Sequence, residues 1–93
     1  LESTDGMIMD DDGNLYIADF CANAIVKVSP DGKTVKRLAQ SPDSDGFNGE
    51  LDQPGEPIIW NGKLVVSCFD IVTNDIVVNT AHEMPATLAE IDL

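Results

Sequence analysis

Basic residues are scarce in this chain. Its 93 residues include 5 Lys and Arg against 17 Asp and Glu, a net charge of −12, which repels phosphate backbones and anionic lipid headgroups. Nucleic acid and membrane surfaces are therefore excluded as partners. There is no run of 18 apolar residues and no charged start followed by an apolar stretch, so neither a helical membrane span nor a signal peptide is read. A start at Leu1 rather than Met leads us to expect residues upstream. The only cysteines, Cys21 and Cys68, fit no zinc or redox spacing. Each stands in an apolar, strand-like context, and both are expected as buried free thiols. Neither a glycine-rich phosphate loop nor a nucleophile elbow occurs, which leaves phosphoryl transfer and serine hydrolysis without support.

What is present is a strand-forming chain. Apolar residues make up 43% of it, enough for a core. Met7 to Met9 is a short apolar run that stops at Asp10, Asp11 and Asp12. Asp12-Gly13 suits a hairpin turn and leads into Leu15-Tyr16-Ile17-Ala18, rich in strand formers. Phe20 to Asn23 reads as a connection and Ala24 to Val28 as a third strand. Pro30-Asp31-Gly32 marks another turn, after which Thr34 to Leu38 alternates apolar and basic residues, as a half-exposed outer strand does. Four consecutive strands make an antiparallel meander.

The second half repeats the first. Gly6 and Gly55, Gly13 and Gly62, Leu15 and Leu64, and Phe20 and Phe69 all lie 49 residues apart. A repeat of this length with four strands per unit points to β-propeller blades. The expected architecture is all-β: a blade over residues 1–40, a polar surface loop over 41–53, and a second four-stranded blade over 54–93 with an insertion at 71–86. Trp60 and Phe69 fit the spacing of blade core residues. Two blades cannot close a ring, so the remaining blades are expected from the same parent chain or from other subunits.

The segments TDGMIMDDDGNLYIADF and NAIVKVSPDGK resemble a blade of the senescence marker protein/gluconolactonase family, in which Pro-Asp-Gly-Met precedes Asp-x-x-Gly-x-Leu-Trp-Val-Ala. The likeness covers residues 4–33 well and 51–70 less closely, and includes the closing MPATLAEIDL. It implies a six-bladed propeller with one divalent cation on its axis, calcium or zinc, held by a Glu, an Asn and an Asp from different blades. It also implies a small sugar-lactone-like substrate, because many members hydrolyse sugar lactones. By this match Asp5 is a metal ligand; Thr4 replaces the family's Pro, and Tyr16 stands where Trp is frequent. Glu56, in GEPIIW, is similar to the segment bearing the family's ligating Glu, which lies in the first blade there. Glu56 is therefore either a ligand in a circularly shifted order or the entrance of the neighbouring blade, facing the same channel.

Asp19 follows the second strand and is the candidate for a substrate contact or a general base, although a carboxylate in a turn is the commoner role. Asp10, Asp11 and Asp12 belong to a hairpin at the far end of the strand and are expected in solvent. The spacing of Asp43, Asp45 and Asn48 faintly suggests a calcium loop, but no Glu closes it at the required distance. The lone His82, with Glu83 beside it, shows neither pocket nor partner and is expected on a surface loop. Two readings compete with a lactonase-like enzyme: a non-catalytic propeller for ligand or protein docking, and a strictosidine-synthase-like propeller without a catalytic metal.

Overall fold

The computed structural model describes residues 3–69, 78, 81 and 85–93. Strands β1 (Thr4–Met9), β2 (Leu15–Asp19), β3 (Ala24–Val28) and β4 (Val35–Gln40) form one antiparallel sheet in chain order. Strands β5 (Pro54–Trp60), β6 (Lys63–Cys68) and β7 (Thr87–Asp92) form a second. The all-β class expected from the sequence is thus present, as two antiparallel sheets. The second sheet has three strands among the described residues, where four were expected. The insertion expected at 71–86, with His82 and Glu83, lies almost wholly outside the described residues.

Each hairpin is closed by the backbone its turn residues favour. Between β1 and β2, the Gly13 amide donates to the Asp10 carbonyl at 3.1 Å, the Asp10 amide donates to Asn14 O at 2.9 Å, and Gly13 has φ +88°. Between β5 and β6, Asn61 and Gly62 both have positive φ, 54° and 75°, the signature of a two-residue type I′ turn. The second turn is one residue tighter, and the pairing records it. Met9 stands opposite Leu15, whereas Ile59 stands opposite Leu64. The 49-residue spacing therefore holds for β2 and β6, but the ladders align β1 with β5 at a spacing of 50 residues. Asp5 corresponds to Gly55, and Gly6 to Glu56.

The core lies between the sheets. Tyr16, Ala18 and Ile25 from the first sheet pack with Leu64, Val66, Cys68 and Ala89 from the second, and Ile8, Ala39, Ile59 and Ile91 close the margins. These residues occupy alternate positions, as period-two patterning requires. Removing a side chain such as the wholly buried Leu64 costs about 2 to 5 kcal/mol through lost burial and a residual cavity.

Two expectations are corrected. The 41–53 connection is not wholly a surface loop, because Leu51, Asp52 and Gln53 are buried as the chain passes between the sheets into β5. Trp60 is not a core residue. It is 61% exposed, because its place in the β5 alternation puts it on the face of the second sheet turned away from the first.

Candidate functional site

The ends of β1 and β5 meet at one place in the fold, since β5 packs against both β1 and β2. Both strands are irregular there. The β1–β2 register shifts between Thr4 and Met7, and the β5–β6 register shifts between Pro54 and Glu56. Such bulges bend a strand and re-aim its side chains. Asp5 and Gly6 occupy one bulge and Gly55 the other.

The consequence is a reciprocal fit. A β-carbon on Gly6 would lie 2.5 Å from the Glu56 Cδ and 2.6 Å from both carboxylate oxygens. One on Gly55 would lie 3.4 Å from Asp5 Oδ2, and 2.6 and 2.7 Å from two carbons of the Phe69 ring. Each strand has a glycine where the other has an acid, so each carboxylate reaches across to the opposite strand. Asp5 and Glu56 are both exposed, and neither carboxylate has a hydrogen-bond or ion-pair partner among the described residues.

Asp19 has a different environment. It is wholly buried, and its Oδ1 accepts from the Ser3 amide at 2.9 Å, while the Phe20 amide donates to Ser3 O at 2.9 Å. Asp19 also pairs with Thr4 across the ladder. Its observed contact fixes the entry of β1, two residues before Asp5, and its burial keeps the carboxylate from solvent. Next to it, the Phe20 and Phe69 rings lie 5.4 Å apart at an interplanar angle of 35° and join the two sheets at this end.

Sequence reasoning missed Asn23, which ties the first sheet to the connection leading to the second. Its Nδ2 donates to the carbonyls of Ser41, Pro42 and Leu51 at 3.1, 3.0 and 2.8 Å, and its Oδ1 accepts from the Gln53 amide at 2.9 Å. It is wholly buried with φ 55°, and an Asn at the end of a four-residue connection was the available signal. Gln53 is also wholly buried with φ 57°, and neither polar atom of its side-chain amide has a hydrogen-bond partner among the described residues.

The acidic hairpin is only partly a solvated cluster. Asp11 and Asp12 are exposed, as expected. Asp10 instead organises the turn: its carboxylate accepts from the amides of Asp12 and Asn14, from the Asn14 side chain and from the Tyr16 hydroxyl. The Asn14 side chain leads in holding the Asp10 carboxyl below its ordinary pKa, and burial pushes the Tyr16 hydroxyl up, with Asp10 adding to it. Cys21 and Cys68 are both buried.

These features define an all-β pair of antiparallel sheets with the exposed carboxylates of Asp5 and Glu56 at one end. No protein-family model, curated protein or solved structure matches the chain. No group of three or more His, Cys, Asp or Glu side chains that could hold a metal ion exists among the described residues. The described residues contain no helix long and apolar enough to cross a membrane.

Proposed function

We propose that the chain forms two blades of a larger propeller whose assembled ring hydrolyses a sugar-lactone-like substrate with the help of a divalent cation. The observation that supports this reading is that the Glu56 carboxylate lies beside Gly6 of β1 while the Asp5 carboxylate lies beside Gly55 of β5, at two neighbouring bulges. Exposed carboxylates without protein partners are suitable donors for a hard cation such as calcium, which takes six to eight oxygens, so further blades must supply the rest. When bound, such a cation polarises a lactone carbonyl and acidifies a water. Within this chain, Asp5 and Glu56 hold the cation. Asp19, the candidate base, is poorly suited to that role in this reading, because its carboxylate is buried and accepts from the Ser3 amide; its contribution is the position of Asp5.

The test is lactone hydrolysis by the assembled ring. Activity that a chelator abolishes, and that Asp5→Ala removes, supports the reading; full activity in Asp5→Ala removes the metal role. A docking module is the second reading. It draws on the apolar face of the second sheet opposite the core, where Ile58, Trp60 and Leu88 are 53%, 61% and 65% exposed. A ring without cation-dependent activity would favour it.

A further inference from the structure

Lys27 and Lys36 stand directly opposite one another across β3 and β4. Lys27 in turn stands opposite Tyr16 on β2. Residues paired in this way share one face of the sheet, and like charges there repel. A chain with 17 acidic side chains has ample means to neutralise such a pair. It does so for Lys63, which meets Glu90 at 3.2 Å, but Lys27 and Lys36 have no ion pair among the described residues. Lys27 is nonetheless positioned, with Nζ 5.8 Å from the centre of the Tyr16 ring.

The two lysines line a cavity of about 270 Å³ together with Asn14, Ser29 and Thr34. No carboxylate is part of that lining. The nearby acids are already engaged. Asp31 accepts from the Ser29 hydroxyl at 2.6 Å and the Lys33 amide at 2.9 Å, and Asp10 accepts from the Asn14 side chain at 3.0 and 3.3 Å. The donors left for an occupant are therefore two ammonium groups and the Thr34 hydroxyl. Lysine acts as a compact point charge rather than a planar fork, which suits an anion that presents oxygens in several directions.

We propose that this cavity binds a tetrahedral oxyanion, phosphate or sulfate, either free or as the terminal group of an ester. Such an anion offsets the repulsion between Lys27 and Lys36 and accepts the hydrogen bonds that the protein leaves unused. Asp10 and Asp31 keep their charge beside the lining and Lys27 and Lys36 offset it, while screening at physiological ionic strength confines the repulsion of the more distant acids to roughly 8 Å. The site lies on β3 and β4 of the first sheet, apart from Asp5 and Glu56, and stands whether or not the ring is a lactonase.

Inorganic phosphate titrated into the full chain at constant ionic strength, followed by amide resonances of Lys27, Thr34 and Lys36, tests it. Saturable shifts are expected at these residues, with Lys27→Gln and Lys36→Gln each weakening the midpoint about tenfold and Lys33→Gln changing it by less than about twofold. Tighter binding of phenyl phosphate than of phosphate points to an ester ligand, and equal binding to the free ion. Linear, non-saturating shifts overturn the proposal. So does equal weakening in all three variants, which marks general attraction to basic residues.

Discussion

The carboxylate of Glu56 rests against the α-carbon of Gly6, in the space a β-carbon would fill. Across the same boundary, Gly55 faces Phe69 and Asp5. Alanine at these glycines should act differently. In Gly6→Ala the new methyl meets the end of a flexible side chain, so Glu56 swings away and stability falls by less than about 1 kcal/mol. In Gly55→Ala it meets the Phe69 ring, which is tilted against Phe20, and overpacking of that kind costs about 1 to 3 kcal/mol. Urea unfolding of both variants checks the order; equal losses would contradict the contact assignment.

Asn23 should be among the most sensitive polar positions. Four hydrogen bonds leave with its side chain, at about 1 kcal/mol each. Alanine at φ 55° adds strain of order 1 kcal/mol. Asn23→Ala is therefore expected to lose on the order of 4 to 5 kcal/mol, and Asn23→Gly about 1 kcal/mol less, because glycine removes the strain but not the lost bonds. A change below about 1 kcal/mol in both would show that the clip is unimportant.

The first hairpin should weaken in acid. The folded Asp10 pKa is lowered, chiefly by the Asn14 side chain, whereas the unfolded chain titrates near the ordinary value of about 3.9. Protons thus bind the unfolded state first. The contribution is present above the unfolded value and is lost as pH falls through the folded one. An NMR titration of the Asp10 carboxyl should give a midpoint below the ordinary value, and Asn14→Ala should raise it. A midpoint that does not move in the variant would place the cause elsewhere.

Much of the fold was legible because local chemistry and tertiary structure agree. Ala24–Val28 is a strand as read, and Gly13, Gly32 and Gly62 have the positive φ their turns require. The shift between β1 and β5 was not legible. Identical glycines suggested a gapless alignment, but a tighter Asn61-Gly62 turn displaces the ladder by one residue, and only the pairing shows that Gly6 corresponds to Glu56. Trp60 misled because alternation gives a face without saying which sheet covers it. At the site, the sequence offers Asp5 and Glu56 in separate segments; that each lies beside a glycine of the other's strand depends on how two sheets stack, which no local pattern encodes. Asp19 gave no sequence sign that its carboxylate would be buried on the Ser3 amide.

The central claim is that Asp5 and Glu56 hold one cation between them, and manganese broadening of the amide spectrum tests it most directly. At substoichiometric Mn²⁺, resonances of residues 5–7 and 55–57 should broaden first, and the Asp5→Asn, Glu56→Gln double variant should remove that effect. Broadening confined to Asp11 and Asp12, or unchanged by the double variant, would contradict the account.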